Sequence, residues 1–222
     1  FDGRGGPPAR GGGKTHDFYA SQGKTIANNK IEITIQGQTI TSVFGNKDQA
    51  KYNFEQLLTA GIENDVFKNS KKDLTEKERN LIQELAEISF RKYSELKAHP
   101  MFVPYLQEMS TLEYYGRTNI GSRPSKRGGT NELKFEDLRA IPFVGSWSQL
   151  KQNIPGFFGF GFALSELKSQ SRFDEVHALY KGSDFFKTLV LNSMMSMNKS
   201  YFPLTYYMKN NQKFGSFWNV LF

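Results

Sequence analysis

The stretch from Thr75 to Pro100 constrains the fold more than any other, because it carries both its own start signal and its own stop. Thr75 and Glu78, three residues apart, form a capping box: each side chain can satisfy a backbone N–H that the first turn of a helix leaves unpaired. Leu81, Ile82, Leu85, Ile88 and Leu96 then recur at helical spacing, so one apolar stripe has to be buried. Pro100 ends the run, since proline has no N–H to donate and disfavours helical backbone in the residue before it. The pattern predicts a helix over residues 76–98.

Upstream the pattern changes to β. Ile31, Ile33 and Ile35 alternate, Gln36-Gly37 supplies turn chemistry, and the β-branched run Thr39-Ile40-Thr41-Ser42-Val43-Phe44 follows, predicting a hairpin or a bulged strand. Asn46 then caps a second helix, with Ala50, Phe54, Leu57 and Leu58 on its inner face and Gly61 placed to end it. Downstream, residues 120–129 are basic and small with no apolar period, which predicts a loop. The segment 135–143 reads as a helix start interrupted by Pro142. Trp147, Phe157, Phe158, Phe160 and Phe162 are expected in the core, with Gly156, Gly159 and Gly161 allowing close approach. Residues 183–207 are expected to form a helix with Leu189, Met194, Met195 and Met197 inside and a kink at Pro203.

Composition decides which classes survive. Of 222 residues, 38% are hydrophobic and 14% aromatic, ample for a packed core and unlike a disordered chain. A formal charge of +7 favours acidic partners, whether nucleic acid, anionic membrane or small anionic substrates. The absence of cysteine excludes disulfides and thiolate chemistry. With no signal sequence and no apolar run of transmembrane length, a cytoplasmic protein is expected. The chain begins at Phe1, inside its most distinctive motif, which leads us to expect a piece of a longer enzyme.

That motif is Phe1-Asp2-Gly3-Arg4-Gly5-Gly6-Pro7-Pro8-Ala9-Arg10-Gly11-Gly12-Gly13, with two Arg-Gly-Gly units six residues apart. Arginine presents a planar, permanently charged fork that grips phosphate or carboxylate, while glycine lets the backbone come close to an anion. One reading is therefore a loop that wraps an oxyanion. The other is an arginine-glycine segment sticking electrostatically to RNA. A phosphate-binding P-loop is disfavoured at Gly13-Lys14-Thr15, because its pattern requires glycine where Pro8 stands. His16, His99 and His177 have no zinc spacing, and Glu76, Glu78, Glu84 and Glu87 sit among Lys77 and Arg79 as a solvated helix face does. Four arginines in glycine-, serine- or proline-rich settings remain, Arg4, Arg10, Arg123 and Arg139, able to converge on one polyanion.

Three segments together resemble the C-terminal part of phosphoenolpyruvate carboxylase. Gly3-Arg4-Gly5-Gly6 with Arg10-Gly11-Gly12 matches the family's G-R-G-G-x-x-x-R-G-G loop, Gly121-Ser122-Arg123-Pro124-Ser125-Lys126-Arg127 matches G-S-R-P-A-K-R, and Leu138-Arg139-Ala140-Ile141-Pro142-Phe143 matches L-R-A-I-P-W. Weaker similarity runs through Gln36-Gly37 and Phe102-Val103-Pro104-Tyr105. The resemblance implies an α/β, predominantly α-helical piece of a (β/α)8 barrel, a single C-terminal fragment over 1–222 with 1–15 a mobile active-site loop. It implies a lyase of carbon dioxide fixation that makes oxaloacetate and phosphate from phosphoenolpyruvate and bicarbonate, through carboxyphosphate and an enolate. By the same resemblance Arg4, Arg123 and Arg139 bind substrate, Arg10 acts on bicarbonate or carboxyphosphate, and Mg2+ or Mn2+ holds the enolate oxygen.

Two departures accompany the match. Asp2 stands where the family commonly has histidine, so it is a candidate catalytic residue of altered role, able to orient an arginine. The family's metal-binding carboxylates and its other catalytic histidine precede this motif, so the isolated chain is expected to be inactive. Lys199 lies near the family's inhibitor-binding lysine, which implies aspartate or malate as inhibitors; the family also implies a homotetramer, with no nucleic-acid or membrane partner.

Overall fold

A computed structural model describes residues 2–3, 14–23, 30–33, 38–67, 73–115 and 133–222. In chain order the elements are strand β1 (Asp2–Gly3), helix α1 (Thr15–Ala20), strand β2 (Glu32–Ile33), and helices α2 (Gln38–Phe44), α3 (Lys47–Val66), α4 (Glu76–Ala98), α5 (Phe102–Met109), α6 (Leu112–Tyr115), α7 (Ala140–Gln149), α8 (Phe160–Ser169), α9 (Phe173–Gly182), α10 (Asp184–Asn198), α11 (Tyr206–Lys209) and α12 (Gly215–Leu221). Short 3-10 turns lie at Phe135–Asp137, Ile154–Gly156 and Phe202–Thr205. The described residues are thus mostly helical. The chain divides into two compact units, Phe1–Leu85 with Glu166–Met195, and Ala86–Ser165 with Ser196–Phe222.

In the first unit β1 and β2 pair in parallel, Asp2 opposite Glu32 and Gly3 opposite Ile33. The strand expected over 39–44 is instead helix α2. Strand preference spans only about 1 kcal/mol and yields to context, here the packing of α2 on α3. The Phe44 ring lies 5.3 Å from that of Phe54, and Asn53 Nδ2 donates to the Val43 carbonyl at 3.1 Å. Asn46 does cap α3, accepting the Asp48 N–H at 2.9 Å. Gly61, however, does not end it, and α3 runs on to Val66. A glycine terminates a helix by taking positive φ, and among the described glycines only Gly159 does so. The expected inner face of α3 also fails at Phe54 and Leu58, which are 54% and 65% exposed, while Ala60 is fully buried.

Helix α4 begins as its sequence predicts. The Thr75 N–H donates to Glu78 Oε2 at 2.7 Å, and the Glu78 N–H donates to Thr75 Oγ1 at 3.2 Å. Leu81, Leu85, Ile88 and Leu96 are buried. Glu84 is not simply solvated, for Arg172, just ahead of α9, grips both of its oxygens at 2.8 and 3.0 Å and reaches Glu175 at 3.4 Å. Hydrogen bonding to Glu84 holds the Arg172 guanidinium above its ordinary range, and Arg172 in turn pulls the Glu175 carboxyl down.

The second unit closes around aromatic rings. Trp147 is fully buried between Phe102, centroids 5.9 Å apart, and Tyr105, stacked at 6.0 Å, while Phe214, Phe217, Leu106, Ile154 and Met208 complete the cluster. Phe157 and Phe158 pack against it, whereas Phe162 is 47% exposed beneath the Lys92 ammonium. Gly159 takes φ +95° and leaves no room for a Cβ beside the Ser89 carbonyl, while Gly156 adjoins the Ser196 side chain. Gly161 faces open space and is not a site of close approach.

The C-terminal helix expected over 183–207 stops at Asn198. The chain is then pinned to the segment after α7, the Tyr201 N–H donating to the Lys151 carbonyl at 2.7 Å and Ser200 Oγ to the Gln152 carbonyl at 2.8 Å. Pro203 sits in the first turn of a 3-10 helix and kinks nothing. Leu189, Met194 and Met197 are 40–47% exposed and Met195 half-buried, so the methionine face is not interior.

Candidate functional site

Arg139 is the expected substrate-binding residue whose side chain lies among the described residues. It is the N-cap of α7 in extended backbone, φ −91° and ψ 145°, and its carbonyl accepts the Phe143 N–H at 3.0 Å. Pro142 does not interrupt this helix. It occupies the first turn, where a missing N–H costs nothing, and its carbonyl accepts Ser146 Oγ at 2.7 Å. Before Arg139 the 3-10 turn is closed by the Lys134 N–H donating to Asp137 Oδ2 at 3.1 Å and by the Leu138 N–H donating to the Phe135 carbonyl at 3.1 Å. Arg139 therefore leaves a tight turn and starts a helix, both of which fix its backbone.

The side chain is half-buried, and its Nε is buried with no hydrogen-bond partner. Leaving a buried donor unpaired costs about 1–3 kcal/mol, and more for a charged group. A guanidinium in that condition suits an anion, which would supply both acceptor and countercharge. Trp147 Nε1 and Thr111 Oγ1, in the same unit, are likewise buried without a partner.

By contrast, Gln152 and Thr205 of the neighbouring core are paired. Gln152 is fully buried and hydrogen-bonds Tyr105 Oη at 2.8 Å and Thr205 Oγ1 at 3.0 Å. Thr205 Oγ1 also accepts Trp218 Nε1 at 3.2 Å. Burial pushes the Tyr105 hydroxyl up to about 12 despite the bond from Gln152. Nothing in the sequence singled out Gln152, whose burial depends on partners 47 and 53 residues away.

The remaining site expectations are distributed as follows. Arg4, Arg10 and Arg123 lie outside the described residues, as does the basic loop around residues 120–129. Asp2 is placed by its backbone in β1, in the first unit, while Lys199, exposed just beyond α10, and the half-buried Arg139 both belong to the second. The histidines are ordinary: His16 Nε2 lies 3.1 Å from Glu63, His99 Nδ1 accepts the Met101 N–H at 3.1 Å, and His177 is exposed. Among the described residues no three acidic or histidine side chains gather to hold a metal, and no helix is long and apolar enough to cross a membrane.

The family model of phosphoenolpyruvate carboxylase matches residues 1–218. The chain belongs to the phosphoenolpyruvate carboxylase family. It is 37% identical over 206 residues to the phosphoenolpyruvate carboxylase of Corynebacterium efficiens, covering 90% of this chain and 22% of that protein. The enzymes of Corynebacterium glutamicum and Mycobacterium leprae are 36% and 33% identical over 208 residues, with the same shares covered. The chain thus spans about 22% of the length of these relatives. Membership places Leu138-Arg139-Ala140-Ile141-Pro142-Phe143 within a match that runs from residue 1 to residue 218, and it offers no support for the RNA-binding alternative.

Proposed function

We propose that a protein carrying this chain at the length of its relatives carboxylates phosphoenolpyruvate, and that this chain supplies the arginines of its site. The observation that carries the reading is Arg139, a backbone-fixed cation with a buried, unpartnered Nε inside a family-specific motif. In the reaction a bicarbonate oxygen bonds to phosphorus as the phosphorus–oxygen bond to the enol breaks, leaving its electron pair on the enolate. Carboxyphosphate then splits into carbon dioxide and phosphate, and the enolate carbon bonds to carbon dioxide to give oxaloacetate.

Every species on this path except carbon dioxide is anionic, so fixed cations lower the barrier and exclusion of water protects the intermediates. Arg4 and Arg139 bind the phosphoryl group, Arg123 neutralises the anionic cluster, and Arg10, in the glycine-rich sequence between Gly3 and Thr15, holds bicarbonate and then carboxyphosphate. Asp2 takes the place of the family's histidine and orients one of these arginines. The parallel pairing of β1 and β2 suits a piece of a (β/α)8 barrel, whose strands all run the same way. Magnesium or manganese on the enolate oxygen belongs to this proposal, but the described residues offer no ligand set and no step above runs through it. The exposed Lys199 is the candidate contact for inhibitory aspartate or malate, in a cytoplasmic homotetramer.

The test is oxaloacetate formation coupled to malate dehydrogenase. Arg139→Ala is expected to lower kcat/KM for phosphoenolpyruvate about 10²–10³-fold, the usual effect of losing one anion-stabilising donor. Arg139→Lys should recover part, because it restores charge without the fork. A variant as active as the parent would sink the assignment.

A further inference from the structure

We propose that Lys97 is a positioning residue for Arg139, acting through a cation–π clamp on the turn that carries it; this rests on the phosphate-binding role given to Arg139 above. Lys97 lies in the last turn of α4, and its Nζ stands 4.9 Å from the Tyr93 ring centroid, 5.6 Å from that of Phe135 and 6.0 Å from that of Phe90. Phe90 and Tyr93 come from the same helix, seven and four residues earlier, and form one wall. Phe135 comes from elsewhere and is the first residue of the 3-10 turn that ends immediately before Leu138 and Arg139.

The Phe135 ring is held on three sides. It packs 5.8 Å from Phe102 of α5, meets Phe143 of α7 edge-on at 5.8 Å, and presents a face to the Lys97 ammonium. The turn beneath it is rigid, because the Leu138 N–H is bonded back to the Phe135 carbonyl. The backbone on the other side of Arg139 is fixed by the bond from the Phe143 N–H to the Arg139 carbonyl. Arg139 is thus suspended between Phe135 and Phe143, two rings in contact with each other. Withdrawing the cation removes the attraction that draws Phe135 toward α4 and lets the turn, with the Arg139 fork, rotate. The distance from Lys97 to substrate is immaterial to this role, since it acts through Phe135.

A double-mutant cycle in the protein at the length of its relatives tests this. Lys97→Met keeps most of the stem and removes the charge, and Lys97→Arg keeps a cation able to sit over the rings. Lys97→Met is expected to raise KM for phosphoenolpyruvate about two- to tenfold, the range a partly exposed cation–π contact carries. kcat should change less, and Lys97→Arg should restore KM. In the Arg139→Ala background the same Lys97→Met change should have no further effect on KM. An equal loss in both backgrounds, or an unchanged KM with only a lower Tm, would overturn the positioning role. If the parent shows no carboxylation, the functional reading fails instead; the clamp is then read from the upward Tm shift caused by inorganic phosphate. That shift should shrink in Lys97→Met and return in Lys97→Arg, and an unaltered shift in both would count against it.

Discussion

Gln152 and Arg139 are both polar groups with buried atoms in the same unit, yet their surroundings differ in kind. Gln152 hydrogen-bonds Tyr105 and Thr205, and Thr205 passes the network on to Trp218. Arg139 has a buried Nε with nothing to receive its proton. Inside a low-dielectric core a completed network rigidifies the fold, whereas an orphaned donor is a debit that some other property must justify. The first arrangement serves the structure and the second suits a ligand, and the two should respond oppositely to mutation.

The largest effect separates them at Arg139. Beside the loss of kcat/KM of about 10²–10³-fold expected above, Arg139→Ala should leave the urea midpoint unchanged or raised, since it removes an unsatisfied buried donor. A pronounced fall in the midpoint would make Arg139 a structural cation and erase the contrast. Gln152→Ala should do the reverse. It strips partners from Tyr105 and Thr205 and opens a cavity, costing about 2–4 kcal/mol in urea unfolding, while kcat/KM per folded molecule stays near the parent value.

That contrast also marks what the sequence made legible. Local signals held: Thr75 and Glu78 close their capping box, Asn46 caps α3, and Leu81, Leu85, Ile88 and Leu96 are buried as spaced. The caps find their partners two or three residues away, so short-range chemistry suffices. Long-range outcomes were not legible. Residues 39–44 are helical because α2 packs on α3, the helix after Ser183 stops because Ser200 and Tyr201 are captured by residues 151–152, and Phe54 and Leu58 lie on an apolar stripe that is exposed. Periodicity names a face but not what covers it. The site divides the same way. The motif around Arg139 was readable, whereas the orphaned Nε, the Lys97 clamp and the Gln152 network arise only when distant segments meet.

A smaller effect tests the completed network through pH. The Tyr105 hydroxyl is raised from an ordinary 10.0 to about 12, chiefly by burial, and Tyr93 is raised to about 12 for the same reason. Between those values the folded state keeps protons that the unfolded state has released, so stability falls as pH rises. Unfolding free energy should therefore hold steady up to about pH 10 and decline toward about pH 12. Tyr105→Phe should weaken that decline and leave the share due to Tyr93. An alkaline slope identical to the parent's would mean that Tyr105 is not shielded as its bonds to Gln152 and Met208 imply.

The smallest effect belongs to polar groups that are paired but exposed. In the first unit Arg172 holds Glu84 and Glu175, and Lys77 lies 3.9 Å from Glu175. All of these side chains keep substantial contact with water, so their attraction is screened and worth little at neutral pH. Its signature is nevertheless distinct in sign from that of Tyr105. The Glu175 carboxyl is lowered from an ordinary 4.5, first by the hydrogen bond from Arg172, so near and below that pH the unfolded state binds more protons. Stability contributed by Glu175 is accordingly present above pH 4.5 and lost as pH falls through its folded value. Arg172→Met should flatten this acid slope, and added salt should flatten it in the parent too, with only a slight change in the neutral urea midpoint. If Arg172→Met instead destabilised the protein at pH 7 more than Gln152→Ala does, exposed ion pairing would outrank the buried network. The ordering that separates structural polar groups from Arg139 would then have to be drawn from geometry other than burial.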